Sequence, residues 1–314
     1  MKKGKITYIR YFIKNAPSSF FRVRLLKKAK RIDKFEDYKK ISIESSSALL
    51  ENLIKEGKPF AAIRFGGTEL GCLNNAEKIK FGFTKTYKDA VRRSMKVFAG
   101  FYPTGDKHLQ EFADLLETRL TSLDALAISG IHMEDYFYHK YCPQAKVLQN
   151  WAMEPLIGGW TPLLKGKKVL VISGFADDIA FQYSRREKIF PNEPSLLPEF
   201  DLQVLAAPMT MGYEEDPRFP SFMRSLEELE SAIDLLDFDI ALVGAGAYGS
   251  LLCLHIKNIG KMAIQSGGAT QTLFGIIGRR WENRSHVSSR INSNWIRPSI
   301  KPKGFDHIEK GAYW

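Results

Sequence analysis

The sequence predicts an α/β fold: a mostly parallel sheet with helices on both faces, preceded by a basic helical arm. Three observations predict it. Along residues 41–281, short apolar runs of strand length alternate with amphipathic helical patterns. Several of those runs end in arginine, serine or glycine just before a helix begins, as strands of a parallel sheet do where a ligand binds. The composition, 44% hydrophobic and 26% charged, is ordinary for a globular chain, and no apolar run approaches the ~20 residues of a membrane-spanning helix.

The chain of 314 residues carries a net charge of +11, which looks like a nucleic-acid signal until it is located. Residues 1–40 hold 14 Lys and Arg against 3 Asp and Glu, so they carry the whole excess and residues 41–314 are neutral. A nucleic-acid partner is therefore not expected. In the arm, Tyr8, Ile9, Tyr11, Phe12, Ile13, Phe20 and Phe21 alternate with Lys14, Arg22, Arg24, Lys27 and Lys28. Arg10, Lys14 and Pro17 interrupt what would be the apolar core of a secretory signal. Two readings stand side by side. Either the segment lies on an anionic membrane surface, drawn by about 1 kcal/mol per basic residue, or it packs its aromatics on the main domain. Cys72, Cys142 and Cys253 are odd in number and far apart, which favours a reducing cytoplasm, with any membrane contact at the inner face.

After the arm, Ile43 to Lys55 reads as a helix with Ser45, Ser46 and Ser47 as candidate caps. A short strand, Phe60 to Ile63, ends at Arg64-Phe-Gly66-Gly67-Thr68-Glu69. An arginine there can fork two phosphate oxygens while the glycines admit the backbone, although Glu69 serves equally as a partner for the helix dipole and for Arg64. Helices follow at Tyr87–Phe98 and Lys107–Leu120, then a strand over residues 125–129. His132 and Glu134 sit at its end, and His139 packs among tyrosines. Lys146–Gln149 is a short strand; Trp151 or Trp160 after it forms an aromatic wall or fills the core.

The strand Lys168–Ser173 closes in Gly174 and leads to Asp177 and Asp178 in the first turn of a helix, as caps or as acids. Leu202–Ala206 is a further strand, Met209–Pro220 a loop able to cover a pocket, and Ser221–Leu236 a helix. The apolar run that begins at Asp239 ends in Gly244-x-Gly246-x-Tyr248-Gly249 and enters a helix from about Ser250 to Asn258. Met262–Gln265 is the last strand, and Ser266-Gly267-Gly268 opens a helix that ends near Gly278. Residues 282–314 read as a polar, irregular tail.

The spacing Gly244-x-Gly246-x-x-Gly249 fits a dinucleotide loop, but such a loop is followed about 20 residues later by a carboxylate for the ribose. That place holds Gln265, and the motif falls late in the chain. What remains is four strand ends, at Arg64, Ser173, Gly244 and Ser266, expected on one edge of the sheet.

Arg64-Phe-Gly-Gly-Thr-Glu69 resembles the Arg-Phe/Tyr-Gly-Asp-x-Glu stretch of GT-D-type bacterial glycosyltransferases. With Val243-Gly-Ala-Gly-Ala-Tyr-Gly249 and Gly267-Gly-Ala-Thr-Gln-Thr-Leu-Phe-Gly-Ile276, residues 60–281 look like relatives of that group associated with surface-polysaccharide synthesis. The resemblance implies a Rossmann-like fold and transfer of a hexose from a nucleotide-sugar donor, such as UDP-glucose, to a glycan or lipid-linked acceptor. It also implies a divalent cation, Mn²⁺ or Mg²⁺, held by an Asp-x-Glu pair. Gly67 replaces that Asp, leaving Glu69, with Asp177 or Asp178 as the other acidic candidates. The expected donor contacts are Arg64, Gly66, Gly67, Thr68, Ser173, Gly174, Gly244, Gly246, Tyr248, Gly249, Gly267 and Gly268. Two alternatives stay open: an NAD(P)-dependent oxidoreductase using the Gly244 loop, and a non-catalytic nucleotide-binding scaffold.

Overall fold

The computed structural model describes residues 2–16, 34–35, 40–212 and 220–314. The expected aromatic and basic residues between Phe20 and Lys30, and most of the Met209–Pro220 loop, lie outside that set. Seven strands form one sheet: β1 Phe60–Arg64, β2 Ala125–Ile128, β3 Lys146–Gln149, β4 Lys168–Ser173, β5 Asp201–Ala206, β6 Ile240–Gly244 and β7 Met262–Ile264. Their order is β3-β2-β1-β7-β6-β4-β5, and every pairing is parallel. This is a Rossmann-like α/β sheet.

Burial explains why the central strands read as unbroken apolar runs. The side chains of β2 and β7 are buried throughout, and those of β1, β4 and β6 are buried at all but one position each, because helices cover both faces. The edge strands β3 and β5 are only partly covered. One face packs on α3 (Gly67–Lys80), α4 (Asp89–Ala99), α5 (Asp106–Leu120), α6 (Glu134–Tyr141), α8 (Phe222–Asp234) and α9 (Tyr248–Asn258). The other packs on α2 (Ile43–Glu56), α7 (Ala176–Tyr183), α10 (Thr270–Leu273) and the C-terminal segment.

The N-terminal arm contributes α1 (Lys2–Asn15), which lies against the first of these faces. Tyr8 is 2% exposed and donates to Asn74 Oδ1 at 2.7 Å. Asn15 is buried; it accepts from the Met133 N–H at 3.2 Å and donates to Asp135 at 2.9 Å.

Two local expectations are corrected. The cap of α2 is Ser42, three residues before the first of the serines expected: its side chain accepts from the Ser45 N–H and Ser45 reciprocates, a closed capping box. The helix expected from Ser266 to Gly278 is two short turns, Gly267–Ala269 and α10. It stops because Gly275 takes φ +65° and the chain turns away to set Ile276 beside Ile296. The C-terminal segment is irregular, with two short turns of helix, and it packs on the domain. Trp295, Ile308 and Trp314 are buried, and the Arg279 and Arg280 N–H groups donate to Trp314 and Ala312.

Candidate functional site

In an open parallel sheet, ligands sit beyond the C-terminal strand ends where the strand order reverses. Here β1 runs outward through β2 to β3, while β7, β6, β4 and β5 lie on its other side, so the reversal falls between β1 and β7. A cleft of roughly 640 Å³ opens there. The four expected strand ends belong to β1, β7, β6 and β4, four consecutive neighbours, and all four contribute to its wall.

Arg64 ends β1. Its backbone N–H donates to Gln265 Oε1 at 3.1 Å, and Ser250 donates to the same oxygen, so the position where a dinucleotide fold keeps its ribose carboxylate instead ties β1 to β7 and α9. The guanidinium donates to the Ser266 carbonyl and lies 3.7 Å from Glu154. Burial pushes its pKa down, with Glu154 opposing. Gly267, at φ +58°, makes room: a Cβ there would stand 2.3 Å from Arg64 Nη2.

Glu69 occupies the first turn of α3, which rises straight from the Arg64 turn. Its carboxylate folds back over Gly66, where a Cβ would stand 1.9 Å from Oε2. Burial raises its pKa, offset in part by a bond to its own backbone N–H. Arg64 and Glu69 form no ion pair with each other; the arginine's carboxylate partner is Glu154. The first bond of α3 runs from the Leu70 N–H to the Gly66 carbonyl, so the Gly67 and Thr68 N–H groups precede the ladder and face an anion's natural site.

Of the expected residues, Arg64, Gly66, Gly67, Thr68, Glu69, Ser173, Gly174, Gly244, Gly246, Tyr248, Gly267 and Gly268 line the cleft. Gly249, Asp177 and Asp178 do not. Gly249 faces the Gln265 side chain, 2.7 Å from where its Cβ would be. Asp177 is exposed, and the buried Asp178 accepts from the Ser299 N–H at 2.9 Å, tying α7 to the C-terminal segment. Glu134 is fully buried and accepts from the Ser129 and Ile131 N–H groups at 3.0 Å, while His132 packs against Phe12. Neither lines the cleft.

Two glycines of the dinucleotide-like motif are explained by packing. A Cβ at Gly244 would meet the Gly267 carbonyl and Thr270 Oγ1, both at 2.7 Å, and Gly249 meets Gln265. The motif lets two loops approach each other.

The wall opposite β6 comes from residues to which the sequence reading gave little weight. Trp151, 41% exposed, lines the cleft, whereas Trp160 is fully buried with its indole N–H on the Ala152 carbonyl at 3.0 Å. The Arg284 guanidinium lies 5.4 Å above the Trp151 ring. Arg280 donates to Tyr313 Oη at 2.9 Å and pairs with Glu309 at 3.2 Å. Trp151 and Glu154 follow the end of β3, so the rule that found the other strand ends applies to them as well. For Arg280, Arg284 and Tyr313 the sole hint was a basic pair after the last helix and aromatics in a polar tail.

The cleft thus combines three arginines, two helix-turn amides and an exposed indole with the carboxylates Glu69, Glu154 and Glu309. It can hold a multiply charged anion with a flat or sugar-like group beside it. Set against family models, curated proteins and solved structures, the chain matches none.

Proposed function

We propose that the cleft binds a nucleoside diphosphate sugar and transfers the sugar to a hydroxyl of a glycan acceptor, as the resemblance of Arg64 to Glu69 implies. The observation that carries this reading is the convergence of Arg64 with the open first turn of α3 at the strand-order reversal, in a cleft walled by the ends of β4, β6 and β7.

Arg64 and the Gly67 and Thr68 amides would take the diphosphate oxygens and stabilise the charge that grows there as the bond to the sugar breaks. The acceptor oxygen bonds to the anomeric carbon, the electron pair of the broken bond leaves with the nucleoside diphosphate, and the acceptor proton passes to Glu69. A half-buried carboxyl with a raised pKa suits that task because it holds a proton more readily than a solvated one. Trp151 offers a face on which a sugar ring can stack.

The resemblance also implies a divalent ion. Among the described residues no three His, Cys, Asp or Glu side chains gather to hold one, so such an ion would arrive on the diphosphate, and Glu69 would ligate it in place of taking the acceptor proton. When bound, such an ion would offset the leaving charge.

Thermal-shift and calorimetric titration with nucleoside diphosphates, UDP-sugars and other nucleotide sugars, with and without Mn²⁺, tests the reading. Arg64→Ala is expected to weaken nucleoside diphosphate binding about thirtyfold, the worth of a charge-assisted bond. Glu69→Gln is expected to keep binding and lose turnover. Wild-type turnover in both variants would refute the assignment.

A further inference from the structure

The arm was expected either to lie on a membrane or to pack on the domain. The helix α1 does the second with one face and leaves the other without a partner among the described residues. Tyr8 and Asn15 point into the protein, where Tyr8 meets Phe81 and Tyr136 with ring centres at 5.4 Å. On the opposite side stand Ile6, Ile9 and Ile13, spaced i, i+3 and i+7 as one stripe, with Ile6 61% and Ile13 67% exposed. Beside the helix Phe83, 48% exposed, stacks on Tyr8 with ring centres 5.8 Å apart, and Lys5 sits over it at 4.7 Å. Lys3 and Arg10 flank it, exposed, with no described carboxylate within 4.0 Å of either.

We propose that this face of α1 docks on an anionic phospholipid bilayer, with the three isoleucines and Phe83 in the headgroup region and Lys3, Lys5 and Arg10 on the lipid phosphates. Charge selects the occupant. A two-fold contact with a second copy would press these cations against their own counterparts, whereas an anionic surface complements them while its acyl boundary takes the apolar stripe. The inference stands without the transfer reading, but the two fit together. The C-terminal end of α1 rests on the Met133–Asp135 turn, a few residues beyond Ile128 and Ser129 of the cleft wall, so docking would hold the cleft near an acceptor carried by lipid.

Co-sedimentation of the full chain with vesicles decides it, using phosphatidylcholine alone and phosphatidylcholine with about a third phosphatidylglycerol. The wild type should bind the anionic vesicles and not the neutral ones, less tightly as salt rises. Replacing Lys3, Lys5 and Arg10 by Gln should weaken binding about a hundredfold, roughly fivefold per charge. The Ile6→Ser, Ile13→Ser double variant should lose at least about tenfold through the apolar area removed. Both variants change exposed side chains apart from the half-buried Lys5, so circular dichroism melts should stay close to the wild type. Failure of the wild type to bind anionic vesicles, or wild-type affinity in both variants, overturns the proposal. So does a dimer in light scattering that the isoleucine variant dissociates, since the face then belongs to a second copy.

Discussion

Two groups of buried or half-buried charge among the described residues are built on opposite principles. Under α1, Glu77 is fully buried and every part of its carboxylate is engaged: Tyr136 donates to one oxygen, and Lys140 at 2.6 Å and Tyr141 at 3.4 Å to the other. In the cleft, Arg64 has one carbonyl and a carboxylate 3.7 Å away, while Arg284 rests on an indole and on the Arg280 carbonyl at 3.2 Å. Burial alone therefore does not mark a site. The mark is a charge whose protein partners leave room beside it for another.

The largest expected effect tests the closed group. Glu77→Ala should lower stability by about 3–5 kcal/mol, because the buried Tyr136 hydroxyl and the partly exposed Lys140 ammonium both lose their acceptor. Urea denaturation measures it, and the folded fraction should still bind nucleoside diphosphate normally. A loss of binding larger than the loss of folded protein would erase the contrast between the two groups.

Glu134 tests the rim between them. Burial pushes its pKa up to about 7, against the backbone N–H bonds that favour the carboxylate. A carboxyl with a folded pKa above its unfolded value stabilises the fold at low pH, and that contribution is lost as pH rises from about 4.5 through about 7. The drop should be on the order of 3 kcal/mol and absent in Glu134→Gln, read as the urea midpoint against pH.

The open group is tested more gently at Gly267. A methyl there meets the Arg64 guanidinium at a left-handed φ, so Gly267→Ala should displace the arginine and weaken nucleoside diphosphate binding about thirtyfold. Titration of the Arg64→Ala, Gly267→Ala double variant should show no further loss, because both changes remove one contact. Trp151→Ala should have the smallest effect: about a five- to tenfold rise in KM for the acceptor, with the melting temperature held, since the indole lines the cleft and not the core.

The same contrast explains what the sequence revealed. All seven strands were legible, since central strands buried on both faces read as continuous apolar runs, and so was the edge on which Arg64, Ser173, Gly244 and Ser266 meet. Asp177 and Asp178 could not be sorted by pattern, because an acid in the first turn of a helix looks alike whether it faces a cleft, water or the Ser299 amide. The wall of Arg280, Arg284 and Tyr313 was illegible for another reason. It depends on contacts between Gln271 and Tyr313 and between Arg279 and Trp314, which have no periodicity for a sequence reading to detect. The two faces of α1 were hidden as well, since tyrosines and isoleucines alternate there without revealing which side the domain takes.

That late wall also sets an order of events. A chain emerging from the ribosome holds every strand of the sheet once Ile264 is out, yet Arg280, Arg284 and Tyr313 are still to come. Until those residues are added, the Arg64 turn and the glycine loops lack that wall. Competence to enclose a ligand therefore arrives after the strands, as a separate step of synthesis.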